Sequence, residues 1–366
     1  MNKPQGWLAG VGVLVLLSSS TLLMTRCVPS DSVSIENSTS RTTPVKVRTL
    51  RFQTFMRRGQ VFTESFEETA GKMIKELTDG EIEIRFIPDG RLVPAEQVVS
   101  GVQAGMVDLV HTSPSRDAGK IGPAGNIVLG MPFMWKDITE ARTLFHHLGL
   151  GEIARSLYAP FNIHVVGPVN GTGNNIGFLS KVPIRTLADF KGLKLRISGG
   201  KPAADLFSAF GTIPVGMGMG EIYSSIATGV IDGASFNSVE AYLNQGFYEV
   251  AQYIIKPAYI RNYSTLLIAN QAMWDSLTPK QQRIIELSFN HWYDRSYELV
   301  NLADSKALIE LQAKGMEVAT LPEEDVKQLI REAEKTWDAI AGDDPTANKA
   351  LTIIKDYLRS LGYIES

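Results

Sequence analysis

An arginine inside an apolar strand pattern is the residue of this chain best suited to bind something. In the stretch GLKLRISGG (residues 192–200), apolar and polar residues alternate as they do in a half-buried strand. Arg196 lies within that pattern, and arginine stays charged at every physiological pH. The next acidic residue along the chain is Asp205. The guanidinium therefore pairs either with a carboxylate from elsewhere in the fold or with an anionic ligand.

Catalytic motifs are weak in the rest of the sequence. Ser198 and Lys201 match the SxxK acylating motif of penicillin-recognising enzymes, but the accompanying SDN and KTG elements are missing. Two glycines separate the pair and disfavour the helix that would bring both side chains onto one face. The five histidines form no metal-binding motif, and the glycine-rich stretches 171–173 and 216–220 lack the full spacing of a phosphate-binding loop. We therefore expect a non-enzyme without cofactor or metal, with a serine hydrolase using Ser198 and Lys201 as the alternative.

Length, charge and the N-terminus predict an exported protein. The chain has 366 residues, 44% of them hydrophobic, and a net charge of −3, which allows two domains and gives no basic surface for nucleic acid. The apolar run 6–24 is typical of an export signal or of an uncleaved anchor. Cys27, the only cysteine, follows this run and is a candidate for lipid attachment. We expect a signal or anchor segment (1–27), a flexible tether (28–45) and an exported remainder attached to the membrane only through this terminus.

Strand and helix patterns alternate from residue 46 onward. A strand pattern at 46–55, a helix pattern at 61–77, and further alternation up to MVDLV (106–110) form two strand–helix–strand units. Such units predict an α/β domain with a parallel sheet, in which ligands collect beyond the carboxyl ends of the strands. The polar turn 111–114 follows MVDLV directly, so Thr112 is a candidate ligand contact.

The second half repeats this alternation and contains one long helix. Thr278 is its predicted N-cap, with Pro279 in the first helical position and Gln281 completing a capping box. No proline or glycine follows until Gly315, which predicts about 36 helical residues and a length of roughly 54 Å. Because that length exceeds one small lobe, we expect the helix to brace two lobes.

Residues 192–254 resemble the signature region of the DctP family, the substrate-binding proteins of TRAP (tripartite ATP-independent periplasmic) transporters. The family blocks GLK-R, G-a-P, E-Y-A-L-tG-vDG and FYEV-kY occur here in order and at compatible spacing. The segments IRTLADFKGLKLR, LVPAEQVVSGVQAGMVDL and SLTPKQQRIIE also look like family segments, so the resemblance covers nearly all of residues 47–340. It implies a two-lobed, periplasmic-binding-protein-like α/β fold, with hinge strands and one long helix behind both lobes.

The resemblance also implies where the lobes divide. We expect lobe I to comprise residues 46–170 plus about 261–300, and lobe II to comprise residues 171–260 plus about 301–366. Ligand would lie in the cleft between them, and closure and release without turnover would be the whole mechanism.

The resemblance assigns roles to several residues of this chain. The arginine of the GLK-R strand clamps the ligand carboxylate in the family, which gives that role to Arg196. The position after vDG maps to Phe236, followed by Asn237, and the phenyl ring would stack on a flat or apolar part of the ligand unless it packs in the core. Asn174 and Asn175 stand in the segment where relatives place a second arginine or a glutamine, and are candidate hydrogen-bond donors to the ligand.

Two departures from the family pattern narrow the expected ligand. Some relatives bind a cation through a glutamate where this chain has Ser235, so we expect no metal. The missing second arginine favours a monocarboxylate or 2-oxo acid over a strict dicarboxylate. Arg57 or Arg58 could restore a second charge from the other lobe, although at least one of the two is expected to be solvated at the surface. The expected protein, a monomer or homodimer, captures a small organic acid for the TRAP membrane permease; a receptor that reports to a membrane sensor is the other open alternative.

Overall fold

The computed structural model describes residues 46–169, 177–235, 238–260 and 265–364. The strands of these ranges are β1 Arg48–Gln53, β2 Ile82–Ile87, β3 Leu109–Thr112, β4 Ile163–Val169, β5 Phe178–Ser180, β6 Lys194–Arg196, β7 Ile213–Pro214, β8 Gly233–Ala234, β9 Tyr253–Lys256, β10 Thr265–Asn270 and β11 Glu317–Thr320. They form two sheets; the predicted ligand contact Thr112 lies in one of them and Arg196 lies in the other.

Helices cover both sheets. In chain order the α-helices are α1 Val61–Glu64, α2 Lys72–Leu77, α3 Val98–Gln103, α4 Pro114–Ile121, α5 Ala124–Leu129, α6 Ile138–His146, α7 Leu150–Tyr158, α8 Gly200–Ser208, α9 Ile222–Ala227, α10 Val239–Asn244, α11 Gln271–Asp275, α12 Pro279–Ala313, α13 Glu323–Ala341 and α14 Pro345–Ser360. A π-helical turn, Glu67–Gly71, joins α1 to α2, so the helix pattern predicted for 61–77 is confirmed with a local irregularity. Within the described ranges, no helix combines the length and apolar character that crossing a membrane requires.

The first sheet has the strand order β2-β1-β3-β10-β4. Strand β1 pairs in parallel with β2 and with β3, as the strand–helix–strand units predict. Strand β10 runs antiparallel to both of its neighbours, so the sheet is mixed and the prediction of a parallel sheet holds only for β1, β2 and β3. The reason is that the chain returns to the first sheet from β9 of the second sheet, so β10 enters at the edge where β1 and β3 end and runs back in the opposite direction.

The second sheet has the strand order β11-β9-β5-β8-β6-β7. Strand β6 pairs in parallel with β7 and β8, whereas β5 is antiparallel to β8 and β9. The chain passes between the sheets after β4 and again after β9. One continuous core joins them, because Val165 and Ile268 of the first sheet belong to the same buried cluster as Phe178 and Leu195 of the second.

The 35-residue helix α12 contacts both sheets, as its predicted length requires. Its first half buries Phe289 and Trp292 in the aromatic cluster of the first sheet, and its second half buries Ala307 and Leu311 in the cluster of the second. Burying one large apolar side chain contributes roughly 1.5–3 kcal/mol. The predicted capping box between Thr278 and Gln281 is present, which confirms the predicted start of the helix.

The C-terminal helices contact both halves of the molecule. Helix α13 packs against α8 on the second sheet and against α5 near the first, and the indole of Trp337 donates to the Pro132 carbonyl at 3.0 Å. Helix α14 packs against α5, α6 and α7. The residue limits of the two lobes stay a prediction.

Candidate functional site

Arg196 ends strand β6, between β7 and β8 in the second sheet. Its half-buried guanidinium donates through Nη1 to the carbonyl oxygen of Ser235 at 2.7 Å and to the hydroxyl of Ser198. Both acceptors are neutral, and the ion pairs among the described residues do not include Arg196. Burial lowers the pKa of Arg196, but an arginine keeps its proton, so a cation lies here without a described counter-ion.

Two serines and a tyrosine hold this end of the second sheet together. The Ser198 amide donates to the Ser235 hydroxyl at 2.7 Å, and the Ser235 amide donates to the Arg196 carbonyl at 2.9 Å. The hydroxyl of Tyr259 lies 2.9 Å from the Ser198 carbonyl oxygen and 2.7 Å from Ser235 Oγ. Burial raises the pKa of Tyr259, so the phenol stays protonated and available as a donor.

A glycine turn carries the chain from Ser198 into helix α8. Gly199 has φ 98°, and a β-carbon there would lie 2.0 Å from Ile260 Cδ1 and 3.2 Å from the Ala203 β-carbon. Only glycine combines that backbone conformation with so little space. Helix α8 begins at Gly200, so Ser198 lies outside it.

This turn separates the two residues of the SxxK match. Lys201 forms an ion pair with Asp205 one helical turn further on. Ser198 Oγ accepts a hydrogen bond from Arg196, which cannot take up a proton as a general base. The arrangement does not favour a serine hydrolase.

The edge of the first sheet carries a buried polar network where β1 and β3 end. His111 and Thr112 lie inside β3, so their prediction as a turn is wrong, because pairing with β10 extends the strand. The Thr112 hydroxyl is buried and donates to Asp117, with oxygen–oxygen distances of 3.1 and 3.3 Å. Burial raises the pKa of Asp117 to about 6, although Thr112 and the Tyr158 hydroxyl, 2.6 Å away, favour its charged form. A ligand contact by Thr112 stays a prediction.

His111 is a structural member of the same edge. Its two ring nitrogens lie 2.9 Å from Thr54 Oγ1 and 2.9 Å from Thr265 Oγ1. Burial lowers the pKa of His111 to about 3, with a further contribution from the positive charge of Arg116. The imidazole is therefore neutral, and it links β3 to the strands on either side.

Two arginines lie near the ends of β1 and β3. Arg57 is exposed, and its Nη2 would lie 3.7 Å from a β-carbon at Gly220, which belongs to the second-sheet side of the chain. Sequence reasoning missed Arg116, whose guanidinium lies over the Phe55 ring at 4.9 Å from the centroid. The sequence could have indicated Arg116 as a candidate ligand contact, because it lies in the first turn of α4, directly after β3. A ligand contact by Arg57 stays a prediction.

The other predicted contacts lie outside the described residues. Asn174 and Asn175 fall in the range 170–176, and Phe236 and Asn237 form the range 236–237. Phe236 follows Ser235 directly in the sequence, which keeps it next to the Arg196 network along the chain. Their roles stay predictions.

Comparison with known proteins identifies the family. The profile described as bacterial extracellular solute-binding protein, family 7 (DctP), matches residues 54–343. The chain is 30% identical over 261 residues to the monocarboxylate 2-oxoacid-binding periplasmic protein of Nostoc sp., covering 70% of each chain. It is 28% identical over 250 residues to the 2,3-diketo-L-gulonate-binding periplasmic protein of Escherichia coli, covering 68% of this chain and 74% of that protein.

A solved structure agrees with the sequence matches. The TRAP transporter solute-binding protein of Bordetella bronchiseptica, in a crystal with calcium and picolinate, is 25% identical and superposes with a TM-score of 0.76, covering 86% of this chain and 93% of that one. The predicted two-lobed α/β fold is confirmed, and the strands of the two sheets fall in the ranges predicted for lobe I and lobe II, whose limits stay a prediction. The chain therefore belongs to the DctP family, the substrate-binding proteins of TRAP transporters.

Proposed function

We propose that the protein is a periplasmic receptor that binds a 2-oxo monocarboxylate through Arg196, between its lobes, and delivers it to the TRAP membrane permease. The proposal rests on one observation, which is that the half-buried Arg196 guanidinium has no described counter-ion. Its described hydrogen bonds use Nη1 alone and end on neutral oxygens. Nε and Nη2 are the pair of donors that matches a carboxylate bidentately. A cation half removed from water and short of a counter-ion is costly, and an incoming acid relieves that cost.

The ligands named for the relatives support a monocarboxylate. The Nostoc protein is a binder of monocarboxylate 2-oxoacids, and 2,3-diketo-L-gulonate, named for the E. coli protein, also has an oxo group beside its carboxylate. Picolinate, found with the Bordetella protein, has one carboxylate with a ring nitrogen next to it. Each of these acids offers one carboxylate and one adjacent acceptor. A single fixed arginine suits the one carboxylate, and Asn174 and Asn175, the predicted hydrogen-bonding residues, would suit the adjacent acceptor.

A thermal-shift series tests the ligand class. We expect pyruvate and 2-oxobutanoate to raise the melting temperature of the purified protein, because a ligand that binds only the folded state stabilises it by about 2.7 kcal/mol at 100 times its Kd. Pyruvamide, which keeps the oxo group and lacks the charge, is the matched control and should give no shift. A larger shift with succinate would assign the protein to dicarboxylates, and the absence of a shift with every acid would contradict the proposal.

Binding is expected to need no cation. Calcium occurs in the Bordetella structure, but the donor atoms of Ser235 in this chain are engaged: Oγ with Ser198 and Tyr259, and the carbonyl with Arg196. Nor do the described residues bring three His, Cys, Asp or Glu side chains together in a group fit for a metal ion. The pyruvate-induced shift should therefore be equal in excess EDTA and in excess calcium chloride. A shift that disappears in EDTA and returns with calcium would contradict this expectation.

A further inference from the structure

The phenol of Tyr259 connects the two serine partners of Arg196 to the chain segment between the sheets. Tyr259 lies between β9 of lobe II and β10 of lobe I. A carbonyl only accepts, so the Tyr259 hydroxyl donates its proton to the Ser198 carbonyl at 2.9 Å. The same phenolic oxygen lies 2.7 Å from Ser235 Oγ, within hydrogen-bond distance. One side chain therefore fixes the two residues whose oxygens receive Arg196 Nη1.

Packing holds the tyrosine ring and backbone in place. The ring is 4% exposed, stacks on Phe178 at a centroid distance of 5.2 Å, and meets Phe207 edge-on at 4.8 Å. The Tyr259 carbonyl accepts a hydrogen bond of 2.8 Å from the Phe133 amide, in the loop between α5 and α6. Phe133 has φ 61°, a conformation that is costly for a bulky residue and persists only where the surroundings enforce it. The Tyr259 ring is therefore held by residues of lobe II, and its backbone is held by a residue of lobe I.

The residue after Tyr259, Ile260, also packs against the chain near Arg196. Ile260 occupies the space beside Gly199, where a β-carbon would lie only 2.0 Å from its Cδ1. The Gly199 turn leads directly from Ser198 into α8. Residues 259 and 260 thus contact the Arg196 network at two adjacent points, one polar and one apolar.

We propose that Tyr259 is a positioning residue for Arg196. By fixing the Ser198 carbonyl and the Ser235 hydroxyl, it keeps Nη1 occupied and leaves Nη2 and Nε oriented for a ligand carboxylate. Because Tyr259 lies on the segment that joins the lobes, the orientation of the guanidinium is coupled to that segment. The inference deepens the proposed function and rests on it.

Nitrogen NMR of the arginine side chains tests the positioning role without any ligand. In the unliganded wild type, the hydrogen bonds that Nη1 donates should hinder rotation of the guanidinium, so Arg196 gives two separate Nη signals, assigned by their loss in Arg196→Lys. Tyr259→Phe is expected to merge them into one averaged signal. Tyr158→Phe, which removes another buried phenolic hydrogen bond, is the matched control and should leave both signals separate. Two separate Arg196 signals in Tyr259→Phe would overturn the proposal.

Calorimetry with pyruvate measures the consequence for binding. Tyr259→Phe should weaken pyruvate binding about tenfold, the effect of one hydrogen bond. In an Arg196→Lys background, Tyr259→Phe should weaken pyruvate binding by less than about twofold. The reason is that lysine is a point charge and has no planar guanidinium to orient. Equal losses in both backgrounds would show a merely structural tyrosine and overturn the proposal. Undiminished pyruvate binding by Arg196→Lys itself would instead contradict the proposed function, and the NMR comparison would still decide the role of Tyr259.

Discussion

Replacing Arg196 with glutamine is expected to weaken pyruvate binding by about 100-fold or more while leaving the empty protein at least as stable as the wild type. Removing one partner of a buried, hydrogen-bonded charge pair costs roughly 2–5 kcal/mol of binding free energy. In the empty protein the guanidinium has no described counter-ion, so its half-burial is a cost that glutamine does not share. Isothermal calorimetry gives the affinity, and thermal unfolding with and without pyruvate gives both stabilities.

Arg185→Gln is the matched control, in the loop that follows β5 of the same sheet. Arg185 is more than half exposed and pairs with Glu317 at 2.7 Å. Exposed pairs of this kind contribute about 0–1 kcal/mol, so the variant should bind pyruvate as the wild type does. If Arg196→Gln melts at a lower temperature and keeps its full response to pyruvate, the arginine is structural and the ligand is held elsewhere.

Local sequence patterns predicted the structure correctly where neighbouring residues determine it. The start of α12 was predictable, because its capping box and first proline lie within four residues of one another, and the next glycine marks its end. The direction of β10 was not predictable, because it depends on where the chain returns from the second sheet. The same long-range pairing changes the interpretation of Thr112, which follows an apolar run like a turn residue but lies in β3 opposite Leu266.

In the candidate site, too, some features were predictable from local sequence and others depend on long-range contacts. Strand alternation was enough to place Arg196 in β6 and to raise the question of its counter-ion. Its actual partners, Ser198 and Ser235, are short polar residues that no local rule assigns to a guanidinium. Tyr259 is separated from both by other elements, and its apolar neighbours in the sequence are typical of a core residue. Its role becomes visible only when β6, β8 and the segment after β9 are brought together by the fold.

Gly233→Ala is expected to cause a large loss of stability for a reason that also depends on the assembled sheet. A β-carbon at this buried position of β8 would lie 2.4 Å from the Leu179 carbonyl oxygen and 3.1 Å from Ser180 Cα. Both are backbone atoms of β5, so the two strands must move apart, and overpacking of this kind costs about 3 kcal/mol. Urea unfolding should show the loss as a lower midpoint with an unchanged slope.

Gly167→Ala is the matched control for Gly233→Ala, because it is also a strand glycine but has open space where the β-carbon would go. Its stability should stay within about 1 kcal/mol of the wild type, with a gain from the reduced freedom of the unfolded chain. The two variants should also differ in function. Strand β8 leads directly to Ser235, so displacing it moves an acceptor of Arg196 and should weaken pyruvate binding, whereas Gly167→Ala should not. Equal stability of the two variants would contradict the close approach of β5 and β8 on which the arginine site depends.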